Sequence, residues 1–264
     1  AVTGLPMNFT ATLGFLALAG IIVNNAVLLL ERIAEEKARL VAEGKIKKQK
    51  LLAEIAEEDK TFALPIGWEW ARLDDVAHVF AGNAFKSEDF QENPGVRVIK
   101  ITNAGAGEFI ETEDYHPSGY EVEYSPFSVK KSDRILALTR PYISTGLKVS
   151  KCPPEYDGAL LNRRVAAIRF FSDINSDFGF LFFSSPIVLS IYQERFGGSG
   201  LQPNLKMSDV TTLLVPIPPA EEQHRIVAKI DQLMALCDQL KARLNQARQV
   251  HEHLANALVE QAVA

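Results

Sequence analysis

Residues 197–244 read GGSGLQPNLKMSDVTTLLVPIPPAEEQHRIVAKIDQLMALCDQLKARL, and their order marks the end of a domain. Gly197, Gly198 and Gly200 make a loop. Leu213–Ile217 is a short apolar run of strand type. Pro216, Pro218 and Pro219 stop that strand and open a helix, because proline fits the first helical turn and no later one. Beyond them Ile226, Ile230, Leu233, Cys237, Leu240, Leu244, Ala247, His251, Leu254 and Leu258 recur at alternating spacings of four and three. All but His251 are apolar. That repeat is a coiled-coil seam, narrower than a general amphipathic face. Thirty-odd residues of it span ~50 Å at ~1.5 Å per residue. Ile226, Ile230, Leu233, Leu240 and Leu244 are therefore expected at a partner-helix interface. Cys237, on the same stripe, is expected as a small core residue.

Upstream, four segments separate: an apolar stretch over 1–30, a charged helix-prone region over 31–60, a strand-and-turn domain over 61–218, and the long helix over 219–261. In the third segment Val96–Ile101, Arg134–Leu138, Leu147–Ser150 and Arg164–Phe170 have strand character, while Phe178–Phe183 and Ile187–Phe196 are apolar at helical spacing. The fold class is α+β, with loops on short strands. Trp68 and Trp70 in LPIGWEW alternate as on a strand, seating the start of the domain on its core or offering bases a stacking platform. In the second segment Glu35 is spaced to pair with Arg39, and Gly44 is expected to weaken or end the helix. Lys45, Lys47, Lys48 and Lys50 follow as a basic run, either a solvated connector or a phosphate contact.

Hydrophobic residues make up 47% of the 264 and charged residues 23%, which suits a chain with a buried core. The net charge of -5 does not announce a nucleic-acid partner, so any such contact has to come from local clustering. Clustering exists. Over residues 125–170, Lys130, Lys131, Arg134, Arg140, Lys148, Lys151, Arg163, Arg164 and Arg169 face three acids, Asp133, Glu155 and Asp157, so nine minus three gives +6. Two distant cysteines, Cys152 and Cys237, without metal-type spacing fit a reducing cytosol. No phosphate-binding glycine motif, no HExxH and no adenine-methyltransferase Asn-Pro-Pro-aromatic motif occurs. CysProProGluTyr at 152–156 lacks both the asparagine and the adjacent aromatic. No catalytic residue, metal or cofactor is expected.

The words LPIGWEW, LNRRVAAIR and LQPNL followed by PIPPAEEQHRIVAKID resemble the DNA-specificity subunits of type I restriction–modification enzymes, over roughly residues 31–258. EKARLVAEGKIKKQK resembles the central helical region of the same subunits. The resemblance implies one target-recognition domain, half the usual number, flanked by long helices that form an antiparallel coiled-coil spacer. It implies double-stranded DNA, modification (methyltransferase) subunits and a restriction subunit as partners. A homodimer through the long helices would restore two recognition domains. LALTRPYISTG and LLNRRVAAIR resemble strand-loop elements of the recognition domain, so Arg140, Lys148, Asn162, Arg163 and Arg164 become DNA-binding candidates. Asn83, Lys86 and Ser87 join them from the loop FAGNAFKSEDF, and Ser199, Gln202 and Asn204 from the glycine-rich loop. Arg suits guanine or phosphate, and Asn and Gln suit adenine.

The first segment stands apart. Leu13–Leu30 carries no charge, and PMNFTATLGFLALAGIIVNNAVLLL resembles a transmembrane helix of resistance-nodulation-division efflux transporters. It reads as a fused remnant, or as a helix buried in this protein or at a partner interface. A membrane-anchored oligomeric interaction protein is the competing class, with this stretch as its anchor.

Overall fold

The computed structural model describes residues 25–49, 53–92, 94–196 and 203–263. Ser199, Gln202 and residues 13–24 of the apolar stretch lie outside them. The chain divides into two compact units, Ala1–Gln223 and His224–Ala264.

The first unit opens with helix α1, Asn25–Ala42. It ends as its sequence requires. Gly44 takes φ +71°, and the Gly44 and Lys45 N–H groups bond back to the Val41 and Leu40 carbonyls. Helix α1 runs through residue 30 without a break, and Ala26, Leu29 and Ile33 on one face are buried. Ala26 and Leu29, from the end of the apolar stretch, are thus core of this domain. Lys37 bonds the Asp74 carbonyl at 2.7 Å and its carboxylate at 3.0 Å. Between Glu43 and Lys60 the only helical element among the described residues is a 3-10 turn, Glu57–Asp59, so the helix stops well short of residue 60. Arg39 pairs forward with Glu43 at 3.3 Å rather than back with Glu35. Among the described residues no helix is long and apolar enough to cross a membrane.

The rest of the unit is built from β1 (Glu69–Arg72), α2 (Leu73–Val76), β2 (Ala77–Ala81), β3 (Val96–Ile99), β4 (Tyr115–His116), α3 (Tyr120–Glu123), β5 (Arg134–Ala137), β6 (Tyr142–Ile143), β7 (Gly146–Leu147), β8 (Val149–Lys151), β9 (Leu160–Leu161), β10 (Val165–Phe170), α4 (Ser176–Phe183), α5 (Pro186–Phe196), α6 (Met207–Thr211) and β11 (Leu214–Ile217). The central sheet is antiparallel, in the order β2-β10-β5-β8. Its inner strands read VAAI and ILA because both faces are covered. Ala166, Ile168 and Leu136 join the core that includes Leu29, Ile33 and Val79. Val165, Ala167, Ile135 and Ala137 join Ile99, Tyr156 and Leu161 on the other face. A second sheet, β4-β3-β9, pairs β3 with β9 in parallel.

Strands β1 and β11 pair antiparallel, with Trp70 opposite Pro216, so the domain's first and last strands close on each other. Trp68 donates its Nε1–H to Glu222 at 3.0 Å and packs edge-on near Phe178. Trp70 packs on Phe62. Both tryptophans therefore seat the domain start. Gly179 permits the close approach of α4 to β10: a Cβ there would lie 2.2 Å from the Phe170 ring.

Helix α7, Ala220–Val263, starts in the first unit, where Gln223 is buried and its side chain accepts the Asn175 N–H at 2.8 Å. Its remainder forms the second unit. There Ile226 and Ile230 are half-buried, while Leu233, Leu240 and Leu244 are 49%, 55% and 54% exposed. Cys237 is exposed as well, so it is not a core residue of this chain. Cys152 is buried, and burial together with the nearby Asp133 pushes its thiol up to about 12.

Candidate nucleic-acid interface

An antiparallel sheet brings strand ends and strand starts to the same edge. Ala81, at the end of β2, lies beside Ala166; Val165 lies beside Ala137, at the end of β5; Leu136 lies beside Val149, at the start of β8. The segments just beyond these positions are 82–90, 162–164, 138–140 and 146–148. They carry Asn83, Lys86, Ser87, Asn162, Arg163, Arg164, Arg140 and Lys148, so eight of the eleven expected DNA-binding residues share one edge. Asn204 joins them through a bridge with Thr139.

Backbone bonds hold the edge together. The Asn83 N–H donates to the Leu161 carbonyl at 2.9 Å, and Asn83 and Asn162 form a parallel bridge. Gly82 makes this possible, since a Cβ there would sit 2.1 Å from the Leu161 oxygen. The Asn162 N–H donates to the Ile99 carbonyl at 2.9 Å, which places Lys100 beside the same turn. Asn162 Oδ1 accepts the Arg163 N–H at 2.7 Å, so part of its role is to shape the loop. Leu138 accepts from Leu205 at 2.8 Å, and the Arg140 N–H donates to the Pro203 carbonyl at 2.9 Å, strapping residues 203–205 along the strand end. Arg140 stands at φ +48°, a conformation that costs a non-glycine residue energy and turns the chain sharply before Pro141.

The arrangement encloses a cleft of about 400 Å³ lined by Phe85, Lys86, Ser87, Phe90, Lys100, Asn162, Arg163 and Arg164, among others. Arg163, Arg164, Lys86 and Ser87 are exposed. Lys86 Nζ lies 3.4 Å from Glu88, and Lys100 pairs with Asp114 at 2.6 Å. Lys148 is half-buried. Burial, and then the nearby Arg140 charge, lower its pKa, so an anion at this edge would restore what the lysine loses. The 85–90 loop is pinned from beneath. Buried His116 meets the Asp89 carbonyl through Nδ1 at 2.8 Å and packs against the rings of Phe85 and Phe90. Lys100, Phe85 and Phe90 were not among the expected residues. Lys100 carries the same signal as Arg140, a cation just past the end of an apolar strand.

The opposite edge corrects the charge count. Arg134 is fully buried, and its Nη2 pairs with Asp177 at 2.7 Å, where Lys151 also arrives at 3.1 Å. Arg169 grips Asp133 through two bonds, at 2.9 and 2.6 Å. Arg134 and Arg169 are thus tied up in ion pairs within the fold, Lys151 shares Asp177 with Arg134 at the surface, and Lys130 and Lys131 precede β5 on that same side. What remains at the upper edge is Arg140, Lys148, Arg163 and Arg164; Lys86 and Lys100 lie there too, the first beside Glu88 and the second paired with Asp114. Among the described residues no cluster of side chains is suited to hold a metal. Cations at strand ends, amide side chains in the loops and a concave floor can grip phosphates and reach base edges.

Residues 65–248 match the family described as the type I restriction modification DNA specificity domain. This chain belongs to that family. Among similar proteins of the type I specificity family are the EcoAI specificity subunit of Escherichia coli, 35% identical over 237 residues, and the EcoEI specificity subunit of the same species, 30% identical over 242. Each alignment covers 89% of this chain and 40% of the relative, so the chain spans about two fifths of the length of these specificity subunits. A chain in a solved structure of a type I restriction–modification system shares the fold, with a TM-score of 0.53 at 19% identity, covering 84% of this chain and 53% of that one.

Proposed function

We propose that this specificity-domain chain recognises one half of a bipartite target in double-stranded DNA and performs no catalysis. It positions modification subunits that methylate adenine and a restriction subunit that cleaves, as the resemblance to type I specificity subunits implies. The observation that carries the reading is the gathering of Asn83, Lys86, Ser87, Arg140, Lys148, Asn162, Arg163, Arg164 and Asn204 at one sheet edge, while Arg134 and Arg169 at the other edge are held by Asp177 and Asp133. Phosphate contacts at such an edge set orientation, and the loops between them read bases.

The exposed apolar stripe of α7 is proposed as the contact between two copies, giving two recognition domains related by a two-fold axis. Two identical domains so related read the same half-site in opposite directions. Mapping methylated adenines in cells whose only specificity chain is this one tests both levels. An interrupted palindrome with a constant spacer is expected. An asymmetric bipartite site rejects the homodimer, and methylation without sequence preference rejects the recognition role.

A further inference from the structure

Between Arg140 and Lys148 the chain makes a small hairpin that no phosphate-binding argument uses. Tyr142–Ile143 pairs antiparallel with Gly146–Leu147, with Ile143 opposite Gly146, so Ser144 and Thr145 form a two-residue tip. Gly146, just past the tip, stands at φ +137°, a conformation that residues with a Cβ rarely adopt. The root of the hairpin is anchored. Pro141 and Leu147 are buried, Leu147 belongs to the main core, and the Lys148 N–H donates to the Pro141 carbonyl at 2.6 Å. The tip is not. Ser144 and Thr145 are exposed, and Ile143 is 50% exposed.

A single exposed isoleucine is ordinary on a protein surface. This one is set apart by its place, on a two-stranded ribbon anchored at its root, at the edge that carries Arg140, Lys148, Arg163 and Arg164. A two-stranded ribbon has the width of the major groove. An aliphatic side chain cannot hold a phosphate or bond a base edge. The apolar group that the major groove offers it is the C5-methyl of thymine. The geometry points to the Tyr142–Leu147 hairpin as a groove-reading ribbon, with Ile143 against a thymine methyl and Ser144 and Thr145 within reach of neighbouring base edges. This inference rests on the DNA-binding reading above and adds a specificity-determining residue to it.

The test uses the full chain assembled with its modification subunits and a duplex carrying the target found by methylation mapping. Each thymine in turn is replaced by deoxyuridine, which lacks only the methyl. One replacement is expected to weaken wild-type binding about fourfold, the worth of one buried methyl. Ile143→Ala is expected to bind the unmodified target more weakly by at least that factor and to show no further loss with the deoxyuridine duplex. Ile143→Thr keeps the branched strand residue, and circular dichroism on both variants verifies the fold. Wild-type affinity in Ile143→Ala overturns the inference, as does an undiminished deoxyuridine penalty in that variant. The parent reading fails differently: replacing Arg163 and Arg164 would then leave binding unchanged, whatever Ile143 does.

Discussion

The N–H of Leu138 donates to the carbonyl of Arg164 at 2.9 Å. That bond extends the β5–β10 pairing one step past the sheet and sets the Arg140 turn beside the Arg163–Arg164 turn. Two loops that the sequence separates by more than twenty residues therefore present their cations to one surface. Arg140 and the Arg163–Arg164 pair can be tested separately, because each lies beyond the last buried strand residue.

Replacing Arg163 and Arg164 together with Ala is expected to weaken binding to all duplexes alike. If both touch phosphates, the slope of log affinity against log salt falls by about 2. Thermal stability stays unchanged, since both side chains are exposed. Binding titrations across a range of salt concentrations check this, and an unaltered slope removes the pair from the interface.

Arg140 carries two effects of opposite sign. Glycine tolerates φ +48° without strain, so Arg140→Gly is expected to leave the fold as stable or raise stability by up to about 1 kcal/mol. The same variant loses the guanidinium. If that group reads a guanine, preference relaxes at one position by about 1–3 kcal/mol. A uniform loss at every position identifies a phosphate contact instead. Denaturant unfolding and a panel of single-base variants separate the two effects.

Asp177 is expected to matter for stability and not for DNA. Burial raises its pKa, but the Lys151 hydrogen bond and the Arg134 charge outweigh burial and hold the carboxyl below its usual range. A depressed carboxylate contributes stability above its unfolded-state pKa, and loses it as pH falls through the folded one. Asp177→Asn leaves the buried Arg134 guanidinium without its counter-charge. The expected cost is about 1–2 kcal/mol near pH 7, moderated because Asp177 is half-exposed. The gap between wild type and variant closes on acidification below the ordinary carboxylate range. A gap that stays constant with pH refutes the ion-pair account.

The sequence shows most of this architecture where apolar runs are covered on both faces. VAAIRF, RILA and LVPI could be located because their hydrophobicity is continuous. Ala77–Ala81 could not, since His78 interrupts it and LDDV before it reads as turn; only pairing with β10 makes it a strand. The two-residue strands β4, β6, β7 and β9 are too short for any periodicity to register. For the site, strand-end cations were legible at Arg140, Arg163 and Arg164. The charge count failed at Arg134, Lys151 and Arg169, because counting along the chain does not say which end of a strand a residue occupies or which acid it meets. Asp177 lies outside the counted stretch, and its single carboxylate is shared by Arg134 and Lys151.

The long helix gives the last test. Its stripe recurs at alternating spacings of four and three, yet Leu233, Leu240 and Leu244 are about half exposed, and so are Met234 and Leu236 beside them. Apolar surface arranged as a seam gains stability only when a second helix covers it. Leu240 and Leu244 are consecutive positions of that seam. Replacing both with Asp puts two charges where a partner would desolvate them, which costs several kcal/mol in an apolar contact and nearly nothing in water. The double variant is expected to shift from dimer to monomer in analytical ultracentrifugation. The β-sheet signal and thermal transition of the first unit stay as in wild type, since neither leucine belongs to it. The interrupted palindrome should disappear with the dimer, as each recognition domain then acts alone. A variant that keeps the wild-type mass and the wild-type methylation pattern means that the stripe is not the surface through which two copies pair.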